Sequence, residues 1–531
     1  MTVRPDGDPT VTSLDAEPAG TVMAGRTAGV DGHPDRWRIL VVLCAALCIV
    51  VLDNTILAVA VPSVGDALQA DETELQWITA AYSLVLAALL LPLAGLGDRF
   101  GRKGLLMVGV VVFGASSAGA AFAASSGQLV VARGLMGIGG AATMPATLAV
   151  LGDVFPDRER GRAIALWSGV SAIAAGAGPI VGGFLLAHFW WGSVFLVNVP
   201  VTACVLVGVA RLVPTSRDPA TPPLDLVGSL TWSGALGLLL FAVIDRGEEG
   251  GLDPLVAGCA VTGLALLGTF AWWERRTDHP LLAPSAMADR RMQAGIVAVP
   301  VIFFAVFGSQ FVLSQWLQGV QGFSPLAAGL CFLPNAALVL VGSLCSTRVV
   351  ARYGLGPTAA IGLALLASAF VLGALFHGDA APVVVAISLA GLGVGLSTPP
   401  GVELIMGSVP PEHAGQAAGV NETIVEAGGA FGIAVMGTVL ALAAGGVGSI
   451  SPDQLRGPGG ESAQQRFTDA LGAPLLAAVV LLVLAAVVVM ARTRGTPAGR
   501  PADASSGSTS AAVTAADVVA PAPSGSGTVH P

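Results

Sequence analysis

Several ionisable residues stand inside long apolar runs of this sequence. Asp53 lies in an aliphatic run, is followed by Asn54 and Thr55, and precedes Pro62. Arg133 sits between Leu129 and the small-residue stretch that begins Met136, Gly137 and Gly139. Glu422 and Glu426 are four residues apart, and Glu403 comes shortly after Pro399 and Pro400. A charge at the centre of a bilayer costs about 2.5–3.5 kcal/mol on insertion scales, so each such residue is a functional candidate by default. A carboxyl that meets water in one state and loses it in another can load and release a proton, or neutralise a cationic ligand. A fixed arginine beside it would tune that release. Glu422 and Glu426 share one helical face. Two close carboxyls in a low dielectric cannot both ionise cheaply, so one holds a proton that an entering cation would replace. The plainer readings are an interfacial Asp53, a snorkelling Arg133, a wet structural acidic pair and an interfacial Glu403.

The elements that must position these groups are membrane-spanning helices. The chain has 531 residues, of which 54% are hydrophobic and 11% charged; a soluble domain is nearer a quarter charged. About fourteen runs reach the roughly 20 apolar residues that cross a bilayer. Their limits are near 39–61, 76–95, 104–124, 129–151, 163–187, 194–212, 225–245, 254–273, 293–315, 326–347, 357–376, 382–407, 416–443 and 471–491. The fold class is therefore an all-α polytopic membrane protein. Of the 25 Lys and Arg residues, all but Arg133, Arg246, Arg456 and Arg466 fall in the tails or in alternate connections on one side. The positive-inside rule makes that side cytoplasmic and puts both termini there.

The net charge of −9 is partitioned by side and marks no nucleic-acid face. The six cysteines all fall in apolar runs and read as packing residues. No Walker A loop, zinc pattern or nucleophile elbow is present, so ATP-driven chemistry, a metal and a cofactor are not expected. A proton gradient is the remaining energy source. Residues 1–37 and 492–531 read as disordered cytoplasmic tails, and 444–470 as a long, ill-ordered external loop. Trp77, Tyr82, Trp190, Trp191, Trp272, Trp273 and Trp316 read mostly as an aromatic belt at the membrane edges. Tyr82, Trp316 or Phe311 stacking on a ligand is the alternative.

Between the second and third runs stands a tight basic turn with Gly95, Asp98, Arg99, Gly101, Arg102 and Lys103. Its glycines let two helix ends approach closely, and an acid among cations can pair in one state and release in another. This turn resembles the loop 2–3 signature of the major facilitator superfamily. Arg348, Arg352 and Gly354 repeat it in degraded form, without the Asp. The Asp53 segment resembles span 1 of the superfamily's 14-helix drug:proton antiporters. The surroundings of Arg133 resemble the span 4 signature, whose arginine is linked to proton transfer, with Met136 where a glutamine is common. Gly178, Pro179, Gly182 and Gly183 resemble the antiporter signature of the exporting branches, with Ala165 and Ala174 in place of two glycines. The stretch from Phe195 through Asn198 to Pro200 is similar to the drug-exporter pattern that follows. Glu422 and Glu426 resemble the acidic span 13 of the quaternary-ammonium exporters.

The resemblance implies two six-helix halves, 38–212 and 292–491, with two extra spans in 213–291. It implies a proton-coupled multidrug efflux antiporter in the cell membrane, moving lipophilic and cationic small molecules as a monomer. Asp53, Glu422, Glu426, Arg133 and Glu403 would couple protons and bind the cation. The 95–103 turn would gate the cytoplasmic side, and the small residues of span 5 would shape the switch. Two other readings stay open: a dedicated exporter of one secondary metabolite or antibiotic, and a non-transporting membrane receptor or enzyme.

Overall fold

An apolar run in lipid must satisfy its backbone internally, and a helix does so within one segment. The computed structural model describes residues 32–215, 225–245, 253–277, 287–409, 414–445 and 460–494. Among them are 14 helices long and apolar enough to cross a membrane, and no strand. Their main helices are α1 (Arg36–Leu68), α2 (Glu72–Phe100), α3 (Arg102–Ala121), α4 (Ser126–Val154), α5 (Asp157–His188), α6 (Asn198–Leu212), α7 (Leu226–Ile244), α8 (Pro254–Trp273), α9 (Arg290–Gln315), α10 (Leu333–Tyr353), α11 (Leu355–Leu375), α12 (Ala380–Met406), α13 (Ala414–Ala443) and α14 (Gly472–Thr493), the sixth span running from Ser193 to Leu212. A single turn, Ser193–Leu196, precedes α6, and the short Pro325–Cys331 helix leads into α10. A π-turn, Trp316–Val320, extends α9.

Local chemistry sets the ends. α2 opens on a capping box: Asp71 Oδ1 accepts from the Glu74 backbone N–H at 2.8 Å, and Glu74 Oε2 accepts from the Asp71 N–H at 3.1 Å. α2 closes with Arg99 in its last turn, where a cation meets the negative end of the helix dipole. Gly101 then closes α2 and opens α3 at a φ of 118°, and Gly354 does the same between α10 and α11 at 87°. Side chains rarely adopt this backbone, so glycine is required at both turns. The degraded sequence repeat is thus a repeat of backbone geometry. We call the end carrying these two turns the basic end.

Two sequence expectations need correction. Pro62 does not end the first span; α1 runs through it to Leu68. An internal proline costs one backbone hydrogen bond and kinks a helix, and here the helix is enclosed by α5, α6 and α9. The second concerns 444–470. Residues 446–459 lie outside the described residues, but Gly460–Ala470 is a helix. Ala463, Phe467 and Ala470 are buried at helical spacing, and Trp316 Nε1 donates to Thr468 Oγ1 at 3.4 Å. The tails before 32 and after 494 lie outside the described residues.

α1 packs on α5, α2 and α3 on α4, and α3 on α6; α9 packs on α13, α10 and α11 on α12, and α11 on α14. The two sets meet along α2 and α13, along α1 and α9, and where α5 meets the Pro325–Cys331 helix. α7 and α8 pair with each other, and α7 docks on the seam between α2 and α13. Ser233 Oγ donates to the Ala88 carbonyl of α2 at 2.9 Å, and Thr438 Oγ1 of α13 donates to the Val243 carbonyl of α7 at 3.1 Å.

Candidate functional site

The site is built around Asp53 at the middle of α1. Helical spacing turns it inward with Ile49, Val50 and Ile56, and it is 2% exposed. Arg133 projects from α4 and is fully buried. Its Nη1 donates to Asp53 Oδ2 in a buried ion pair, and its Nε donates to the Ile78 carbonyl of α2 at 3.2 Å. The guanidinium lies 4.4 Å from the Tyr82 ring centroid and 5.9 Å from that of Phe195, a cation–π arrangement that holds its plane. Tyr82 is itself fixed, its hydroxyl donating to the Val50 carbonyl at 3.1 Å.

Asn198 completes the Asp53 shell. Its Nδ2 donates to Asp53 Oδ1 at 2.8 Å and to Ser117 Oγ at 3.1 Å, and Ser117 Oγ donates to the Phe195 carbonyl at 2.8 Å. The carboxylate is therefore neutralised by one guanidinium and held by one amide, with donors from α4 and α6.

Glu426 approaches from the second set of helices. It lies on α13, is 8% exposed, and its Oε2 has no hydrogen-bond partner. The Ser83 hydroxyl of α2 reaches its carboxyl, and Asn54 Nδ2 donates to the same Ser83 at 3.4 Å. Tyr82 lies within electrostatic reach of Asp53, Arg133 and Glu426 together. Glu422, one turn along, is half-buried and accepts from Asn421 Nδ2 at 3.4 Å. Asp53 and Glu426 thus approach Tyr82 from the two helix sets. Glu403 does not join them: it is exposed near the basic end of α12.

The aromatic assignment also changes. Tyr82, Phe311 and Trp316 are buried. Tyr82 is a wall of the site, and neither it nor Trp316 belongs to a membrane-edge belt. Asn198 and Ser117 were not singled out by sequence. The one signal was Asn198 inside the Phe195 to Pro200 pattern.

The basic turn makes contacts within the first set of helices. Arg102 forms an ion pair with Asp153 of α4, and Lys103 Nζ donates to the Ala210 carbonyl of α6 at 2.9 Å. Arg99 is exposed; Gly95 and Gly101 flank it. The side chain of Asp98 lies outside the described residues. The small residues of α5 make close approaches. A Cβ on Gly182 would stand 3.1 Å from the Ile56 carbonyl oxygen, and Gly178 faces Thr55 and Ile56 beside Pro179. Gly183 faces the other way: a Cβ there would stand 2.6 Å from Leu326 Cα. One face thus packs inside the first set and the other packs across to the second.

A family model described as Major Facilitator Superfamily matches residues 43–433. The chain belongs to this superfamily. It is a multi-pass membrane transporter of small molecules and not an enzyme. Members of the major facilitator superfamily similar to it include the multidrug efflux pump LfrA of Mycolicibacterium smegmatis, 37% identical over 76% of this chain and 80% of that one. The tetracenomycin C resistance and export protein of Streptomyces glaucescens is 33% identical over 82% and 81%. The methyl viologen resistance protein SmvA of Salmonella typhimurium is 33% identical over 76% and 82%. Among solved structures, a bacterial homologue of the human lysosomal transporter Spinster superposes with a TM-score of 0.62 over 87% of this chain and 97% of that one, at 18% identity. The peptide transporter POT in complex with sulfate gives 0.61 over 88% and 97%, at 16%. These two share the fold.

Proposed function

We propose that this protein is a proton-coupled efflux antiporter that exports lipophilic, cationic small molecules from the cytoplasm. The observation that carries this is the asymmetry of its buried acids. Asp53 is paired with Arg133, whereas Glu426 has an unpartnered carboxyl oxygen and Glu422 stands one turn away. A proton and a cationic cargo can compete for the Glu422 and Glu426 pair. Breaking and remaking the Asp53–Arg133 pair would report that exchange to α1 and α4. The relative named for resistance to methyl viologen, an organic dication, fits this chemistry. On this reading the basic end is cytoplasmic, both termini are inside, the chain acts as a monomer, and 38–212 and 292–491 rock about the site with 213–291 beside the seam. The turn around Asp98, Arg99 and Arg102 guards the cytoplasmic side.

The test is efflux of a fluorescent lipophilic cation in energised, everted membrane vesicles. The parent should move the dye in an uncoupler-sensitive manner, and Asp53→Asn and Glu426→Gln should each lose that flux. Dye movement that survives both substitutions would remove these acids from the mechanism. A second reading, one dedicated cargo, is favoured by relatives named for tetracenomycin C and puromycin resistance and a probable actinorhodin transporter. It predicts protection against one compound class and no flux of generic cations.

A further inference from the structure

A further buried acid lies at the end opposite the basic turns. Glu72 is the first residue of α2, is 2% exposed, and its Oε2 is sealed in the protein with no hydrogen-bond partner. Its Oε1 accepts from Gln315 Nε2, at the end of α9, at 3.4 Å. Gln76, one turn along α2, reaches the same carboxyl and accepts from Thr438 Oγ1 of α13 at 3.3 Å. Gln318, within the π-turn, donates to the Val59 carbonyl of α1 at 2.9 Å. Glu72 therefore sits in the seam where the two helix sets close on each other. π-turns are frequent at functional positions, and this one, at the end of α9, directs Gln318 at the first set beside Gln315.

Among the described residues, no cation pairs with this carboxyl. On its own helix stand Asp71 and Glu74, the latter bonded to Ser126 of α4 and to the Asp71 backbone. Asp66 lies at the end of α1 and Asp245 caps α7. At this level α9, the π-turn and α13 present only apolar, amide and hydroxyl groups. The Gly460–Ala470 helix lies against the π-turn, and its Glu461, Arg466 and Asp469 are exposed. A sealed carboxylate with one oxygen unpaired and Asp71 nearby costs far more than the neutral carboxyl would.

We propose that Glu72 is a proton-operated gate residue: a proton taken up from the outer medium lets the outer seam close over it, and its return to that medium favours opening. The carboxylate accepts the proton on one oxygen while the seam is wet, and gives it back to the same side when the seam parts. This proton is separate from the one exchanged at Glu422 and Glu426. The inference rests on the proton-coupled reading for its purpose, but its test does not need transport.

The test uses the full chain in nanodiscs without cargo, its six cysteines replaced by serine. Spin labels go at Gln69 and Asp379, exposed on the two helix sets at this end. In the parent, the distance distribution should shift to longer values between about pH 5.5 and about pH 8.5. Glu72→Gln should hold the short distance throughout. Gln315→Ala, which removes the partner across the seam, should move the transition to lower pH. Asp53→Asn should lose cargo efflux yet keep the shift, which separates failure of the transport site from failure of the gate. A parent distance that ignores pH, or a Glu72→Gln protein that keeps the parental shift, overturns the proposal. Monodisperse elution of Glu72→Gln, together with the Gln315→Ala response, excludes misfolding as the cause.

Discussion

The Arg133 guanidinium makes one ion pair, one backbone hydrogen bond and an aromatic stack, all in a fully buried setting. A lysine could not span Asp53 and the Ile78 carbonyl with the same fork geometry. Removing one partner of such a pair leaves a buried charge, which costs about 3–5 kcal/mol. Arg133→Leu should therefore lower the thermal unfolding midpoint sharply and stop efflux. The double substitution Arg133→Leu with Asp53→Leu should recover most of the stability, since no lone charge remains, and recover none of the transport. Equal melting of the single and double variants would show that the pair is not a closed unit. Asp53, Arg133 and Glu426 were legible in the sequence because an ionisable group in an apolar run has few structural excuses. Asn198 and Ser117 were not, because a neutral amide or hydroxyl in a helix costs little and leaves no mark until its partner is known. Tyr82 misled because an aromatic near the end of an apolar run looks the same whether it faces lipid headgroups or a guanidinium.

Helices were the most legible elements, since twenty apolar residues admit one spanning structure, and their connections were the least. Pro62 carries the sequence mark of a helix end, and only the packing around α1 reveals that the helix continues. Gly460–Ala470 reads as polar loop because its apolar side is narrow: Ala463, Phe467 and Ala470. The turns at Gly101 and Gly354 were found by composition, but their equivalence rests on backbone angles that sequence does not display. Gly354 separates conformation from space, because nothing lies within 4 Å of a Cβ built there. Gly354→Ala should cost about 1–3 kcal/mol through backbone strain alone, and Gly101→Ala, at a φ of 118°, should cost at least as much. Gly104→Ala, in helical backbone with equally open surroundings, should be neutral or should stabilise by about 0.5–1 kcal/mol. Thermal unfolding in detergent decides it: if the three alanine variants melt together, the turns do not depend on glycine conformation.

At the scale of the molecule, the hydrogen bonds from Gln315, Gln318 and Thr438 to α1 and α2 draw the two helix sets together at the end away from the basic turns. Gly183 of α5 meets Leu326 at that same end. The basic-end half of α5 instead exposes Ile164, Leu166 and Ile173. On the proposed orientation, a transporter that alternates access parts the first contacts to release cargo outward, with the close approaches between α5 and α1 holding the first set as one body. Holding the closed seam should therefore stop export without touching Asp53, Glu422 or Glu426. Gln76 and Thr438 face each other across it, so Gln76→Cys with Thr438→Cys, in a background without the native cysteines, can be joined by a short reducible bifunctional thiol reagent. The joined protein should still bind a fluorescent cation presented from the basic end, should export none of it, and should resume export once the bridge is reduced. Export at the uncrosslinked rate with the bridge intact would mean that cargo leaves by a route that does not require this seam to part. The rocking arrangement of the two helix sets would then have to be abandoned, although the ion pair at Asp53 would stand.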